Sequence, residues 1–247
     1  MAELLNVKVE GHIAIVTLDH PPLNLMTPKH LEEIISEFGK LGGDEQISVV
    51  VLTGAGERAF CAGGDRRMFV ARTPQEKQAR QQFWWAAETA IRDCAVPVIG
   101  AINGYAGGGG VLFAASCDIL IASERAVFDI PEINAGVLAP FWSLRRLLPE
   151  LRMRSMAYTA QRLTAQEMHS LGSIEKVVAL DELMPTAMQL ARRIAEKDSY
   201  TLRMHKEIFN RTEYLGFKED HALVMDYSRR MPGIQQHGMS QGGIPRE

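Results

Sequence analysis

VPVIGAINGYAGGGG, residues 96–110, is an apolar run that ends in a cluster of glycines, and its reading decides the fold. Six of the chain's 21 glycines lie between Gly100 and Gly110. The surrounding segment, Cys94 to Ala122, has only Asn103 and Asp118 as strongly polar side chains, so by composition it imitates a membrane span. A spanning helix would lose about 1 kcal/mol for each glycine relative to alanine, and Pro97 would interrupt it. The segment reads instead as a buried strand, a turn, and a buried apolar helix that ends near Cys117. Glycines at that turn let backbone N–H groups approach a ligand with no Cβ in the way. The N-terminus of the helix adds the positive end of its dipole.

Upstream, LLNVKVE and HIAIVTLD alternate on either side of Gly11 and predict paired strands. PPLNLMT is a loop. Thr27 and Pro28 open a helix whose apolar positions Leu31, Ile34, Ile35, Phe38 and Leu41 recur at helical spacing until Gly42-Gly43 stops it. ISVVVLTG is apolar throughout and suits a strand covered on both faces. A second glycine loop, FCAGGD (60–65), follows it, and then a polar helix from Pro74 to Asp93. Downstream, DILIAS and AVFDI are strands. Helices dominate from Pro140, with Thr164-Ala-Gln-Glu167 in capping-box form. The strand SIEKVVA interrupts them before helices near 181–197, 199–213 and 217–230. Repeated strand-strand-helix units thus fill residues 1–195. Residues 196–247 form a helical region whose tail after Pro232 is loose.

Lys plus Arg (27) against Asp plus Glu (30) gives a net charge of −3, which argues against nucleic acid as the main partner. Three cysteines, Cys61, Cys94 and Cys117, cannot all pair, so a reducing compartment is expected. With no secretory signal at the start, the expected location is the cytoplasm. The seven histidines show no close metal-ligand spacing, so no metal site is expected. Gly54-Ala-Gly56-Glu-Arg-Ala59 fits a dinucleotide fingerprint by letters, but it runs into another loop where that motif needs a helix. Gly238-Met-Ser-Gln-Gly242 sits in the tail without the strand and helix a nucleophile elbow requires. The two glycine loops remain, and together they have what an oxyanion hole needs.

FCAGGD, VPVIGAINGYAGGGG, CDILIA and FDIPEINAGVLA, in that order, resemble the crotonase family, the enoyl-CoA hydratase/isomerase superfamily. The likeness covers some two-thirds of the chain. It implies an α/β fold, a spiral of repeated ββα units with a C-terminal helical region used for trimer formation. It further implies a homotrimer or dimer of trimers, and an acyl-CoA thioester substrate processed through an enolate. No separate cofactor is implied, since coenzyme A is part of the substrate. Carried over by position, the backbone N–H groups of Ala62 and Gly109 would hold the thioester oxygen. Gly63, Gly64, Asp65 and Gly108 would border the bound thioester.

Hydratases of the family use two glutamates, one in G-G-G-C-E and one in Q-P-E-I. Here the first position is Leu112 and the second is Glu132. A lone Glu132 beside a dry wall at Leu112 suits proton transfer from C2 to C4 of a 3-enoyl thioester. Δ3-Δ2 enoyl-CoA isomerisation is therefore placed ahead of hydration, and GVLAPFW, with Trp142 at the substrate, points the same way. Asp65 or Asp129 is an alternative source of the second carboxylate. A non-catalytic CoA-ester binder or scaffold is the alternative of another class.

Overall fold

The computed structural model describes residues 5–65, 67, 73–136, 141–213, 219 and 223–227. The opening strands are β1 (Leu5–Glu10) and β2 (Ile13–Leu18), antiparallel around Gly11 with Leu5 opposite Leu18. Helix α1 (Pro28–Gly43) starts at Thr27, whose hydroxyl accepts from the His30 amide while the His30 ring accepts from the Thr27 amide. That reciprocal cap satisfies two amides that the first turn leaves open. Leu31, Ile34, Phe38 and Leu41 are buried, as their spacing predicts.

Three strand-strand-helix passes follow. The first is β3 (Val49–Gly54), β4 (Ala59–Cys61) and α2 (Pro74–Arg92). The second is β5 (Val98–Ile102), β6 (Tyr105–Gly107) and α3 (Gly109–Ser116). The third is β7 (Ile119–Ser123), β8 (Val127–Asp129) and a 3-10 helix (Pro131–Ala135), with the short α4 (Phe141–Leu144) beyond. After α5 (Glu150–Thr159) come β9 (Leu163–Thr164), α6 (Ala165–Ser170), β10 (Lys176–Val178), α7 (Leu180–Ala195) and α8 (Ser199–Thr212).

First strands of each pass build one sheet, ordered β1-β2-β3-β5-β7-β10 and parallel from β2 onward. Second strands build another, ordered β4-β6-β8-β9. All of β3 is buried because this sheet is covered on both sides. Val49 and Val51 pack with Leu183, Ala187 and Met188 of α7, whereas Val50 and Leu52 join the larger core with Phe38 and Phe113. An unbroken apolar run is what a two-faced strand requires.

The second sheet differs from the sequence reading, which made FCAGGD and the glycine cluster loops. Ala59–Cys61 and Tyr105–Gly107 are strands. Three residues carry no period that a pattern could reveal, and their pairing is decided by partners far along the chain. Helix α8 is tied to the core by polar groups. Arg203 donates to the carbonyls of Gly42, Asp44 and Ile47, the buried Lys206 pairs with Asp118, and Asn210 donates to Arg92 O at 2.9 Å. Of the helix expected over 217–230, residues 223–227 are helical, and the tail beyond Pro232 lies outside the described residues. Among the described residues no helix is long and apolar enough to cross a membrane.

Candidate active site

Two loops touch because neither has a side chain at the contact. A Cβ on Gly110 would overlap the carbonyl oxygen of Cys61, so the first turn of α3 lies directly against the end of β4. On Gly63, held at φ +88°, a Cβ would stand 3.1 Å from Gly107 O and 3.4 Å from Gly109 N. Trp84 of α2 covers the contact. Its Cη2 would be 2.6 Å from a Cβ on Gly109, and its ring packs 5.4 Å from that of Phe113.

The amides at this contact are not equivalent. Met26 donates to Gly63 O at 2.9 Å and Asp65 donates to Met26 O at 2.8 Å, forming a parallel bridge centred on Gly64. In such a bridge the central residue turns its own N–H to the opposite side. The Gly64 amide therefore points away from Met26, and no described group accepts its hydrogen. Gly109 is the first residue of α3, where an amide has no intrahelical acceptor, and it too lacks one among the described residues. Ala62 corrects the sequence expectation. Its N–H already donates to Leu23 O at 3.0 Å, so the segment before α1 takes that hydrogen.

Glu132 reaches this place through strand register. Pairing of β6 with β8 sets Gly107 beside Asp129, and Gly108 N–H donates to Asp129 O at 3.0 Å. The 3-10 helix that follows turns the Glu132 carboxylate back over Gly108. A Cβ on Gly108 would collide with Oε1 and lie 3.3 Å from Cδ, and Oε2 is shielded from solvent. Leu112, 4% exposed, sits one turn into α3, where its amide donates to Gly108 O at 3.3 Å.

The other acids near the loops are engaged elsewhere. Both oxygens of Asp65 accept from the Arg67 guanidinium, at 3.0 and 2.8 Å, and Oδ1 accepts the Arg67 amide as well. Those bonds hold the Asp65 carboxyl down at about 2, so it stays ionised and cannot donate a proton. Asp129 accepts from Tyr105 Oη at 2.6 Å and from Arg162 Nε at 3.1 Å. Neither geometry leaves a carboxylate to replace the glutamate that Leu112 displaces. Burial pushes the Cys61 thiol up to about 12, so it is no nucleophile.

Residues 8–226 match the family model described as enoyl-CoA hydratase/isomerase. The chain belongs to that family. A (7aS)-7a-methyl-1,5-dioxo-2,3,5,6,7,7a-hexahydro-1H-indene-carboxyl-CoA hydrolase of Rhodococcus jostii is 35% identical over 87% of this chain and 84% of its own. A short-chain-enoyl-CoA hydratase of Clostridium acetobutylicum is 35% identical over 85% of this chain and 82% of its own. Among solved structures, DspI of Pseudomonas aeruginosa superposes with a TM-score of 0.87 at 29% identity, covering 93% of this chain and 87% of that one. The spiral of ββα passes is thus the crotonase fold.

Within that family fold, the sequence reading missed three side chains. Trp84 and Glu88, one turn apart on α2, read as parts of a polar helix, and Ser143 read only as part of the helical region from Pro140. Proximity to Gly109, given above, singles out Trp84, and no local signal could have done so. The side chain of Trp142 lies outside the described residues. Gly108→Ala should abolish most activity while leaving the fold intact. The added methyl lands on the Glu132 carboxylate, and φ +52° is strained for any side chain. The expected pair of readings is a protein still folded at about 25 °C, its melting temperature lowered by several degrees through the backbone strain, with kcat at least tenfold lower.

Proposed function

We propose that the protein acts on acyl-CoA thioesters through an enolate, with Glu132 moving the proton and the Gly64 and Gly109 amides holding the thioester oxygen. The observation that carries this reading is the Glu132 carboxylate lying over Gly108, the residue directly before the Gly109 amide at the start of α3. On a 3-enoyl thioester, Glu132 takes a proton from C2. The electron pair passes into a dienolate whose charge rests on the thioester oxygen, where two preorganised donors are worth a few kcal/mol each. Glu132 then returns the proton at C4, and the double bond moves from C3–C4 to C2–C3. One carboxylate serves both steps, so isomerisation needs nothing at the Leu112 position.

Support for a thioester substrate also comes from the relatives named above, an indene-carboxyl-CoA hydrolase and an enoyl-CoA hydratase. The hydratase favours a second reading, addition of water to a 2-enoyl thioester. Purified protein given 3-enoyl-CoA and 2-enoyl-CoA separately tells the two apart. Formation of the conjugated 2-enoyl product from the first, with little 3-hydroxyacyl product from the second, is expected. Fast hydration without isomerisation would overturn the preference. Assembly as a homotrimer or dimer of trimers belongs to the same proposal. Apolar side chains left in solvent on α5 and α8, Tyr158 at 65% and Phe209 at 70% exposure, support it.

A further inference from the structure

One ionisable side chain in the core takes no part in the chemistry above. Glu88 of α2 is 1% exposed, and Ala87 and Ile91 beside it belong to the apolar core. Its Oε2 accepts from the Ser143 hydroxyl at 3.0 Å, while its Oε1 is buried with no hydrogen-bond partner among the described residues. Burying a carboxyl group in this way costs stability unless something else recovers it.

Its position says what that could be. Glu88 lies one turn beyond Trp84 on the same face of α2, and the Trp84 ring rests on Gly109, whose amide is one of the two oxyanion donors. Ser143 belongs to α4, the next described element after the 3-10 helix that presents Glu132. The Glu88–Ser143 pair therefore lies between the helix that covers the oxyanion donors and the segment leading away from the base.

We propose that Glu88, with Ser143, reads the acyl group, and that the protein selects CoA thioesters whose acyl chain carries a hydroxyl or carbonyl oxygen beyond C3. This rests on the acyl-CoA reading above and names its substrate class. A chain oxygen would complete the hydrogen bonding of Glu88, whereas a methylene in its place would leave Oε1 unsatisfied. Burial pushes the Glu88 carboxyl up to about 7 against the opposing effect of Ser143, so near neutral pH it retains a proton to donate. Such a group accepts or donates as the chain oxygen requires. Sites built this way discriminate against the unoxygenated analogue more strongly than apolar pockets discriminate by size.

Equilibrium binding decides the matter without relying on turnover. Saturated acyl-CoA thioesters of matched length are compared, either plain or with a hydroxyl or keto group at successive positions beyond C3. Wild type should bind at least one oxygenated chain about tenfold or more tightly than its plain counterpart. Glu88→Leu should remove that preference while still binding the plain chain. Ser143→Ala, a milder change, should reduce it. A wild type with no preference at any position overturns the proposal, whatever the variants do. So does a preference that survives Glu88→Leu intact. If no acyl-CoA binds at all, the thioester reading itself fails, which is a separate result.

Discussion

Glu132→Gln is expected to lower kcat on 3-enoyl-CoA by about 10²–10⁴, the usual worth of a positioned general base. The change is isosteric, so the amide side chain fits over Gly108 where the carboxylate now sits. It leaves the Gly64 and Gly109 amides untouched, so binding of an unreactive acyl-CoA should shift by less than about threefold. The same loss should appear in solvent deuterium exchange at C2 of a bound thioester, because exchange needs only the base and the oxyanion donors. Activity within a few-fold of wild type would remove Glu132 from the mechanism. A parallel loss of binding would instead make it a structural support of the loop.

Gly110→Ala is expected to destabilise the protein by about 3 kcal/mol or more, at the upper end of overpacking effects. The added methyl would overlap the Cys61 carbonyl oxygen and lie 2.7 Å from its carbon. Relief by movement is blocked. Ala59, Phe60 and Cys61 are wholly buried, and β4 is paired to β6. The matching control is Gly39→Ala in α1, where an added Cβ meets nothing within 4 Å. That change should stabilise by about 0.5–1 kcal/mol, because alanine loses less backbone entropy in a helix. Urea unfolding midpoints of both variants check the pair. A Gly110→Ala protein as stable as wild type would mean that the two loops are not in contact.

Much of the main sheet was legible in the sequence. The alternation of residues 5–18 and the unbroken apolar run at Val49–Leu52 are local signals of strands, and the strands stand where their patterns put them. The N-cap at Thr27 and the capping box at Thr164 were equally local. Of the second sheet only β8 was legible, as AVFDI; β4, β6 and β9 were not, since they have three residues or fewer. The loss matters at the site, because pairing of β6 with β8 is what brings Glu132 to Gly108.

The amides illustrate the same divide. Residue type and order placed a donor somewhere in FCAGGD, and position within the motif singled out Ala62. Only the bonds to Leu23 and Met26 show which amides of that loop are taken by the segment before α1 and which one is left without a described acceptor. Hydrogen-bond direction alternates residue by residue along an extended segment, so a choice two residues apart turns on a partner the local sequence does not contain. Asp65 and Asp129 were open alternatives for the same reason, until Arg67, Tyr105 and Arg162 were seen to hold them.

By itself, the amino-acid sequence determined the family, the repeated strand-strand-helix course and the two glycine loops. It also determined that Leu112 stands where a second glutamate would otherwise act. The strand-strand-helix course follows from residue type and local period, which a chain carries wherever it lies, whereas the family and the reading of Leu112 follow from the resemblance of its ordered motifs. Tertiary structure alone decided that the loops touch, that Gly64 has the amide Ala62 lacks, and that Glu88 is buried beside Ser143. Each of those depends on two segments far apart in the chain meeting at a distance of one hydrogen bond or one methyl group. Packing of the whole molecule sets such distances.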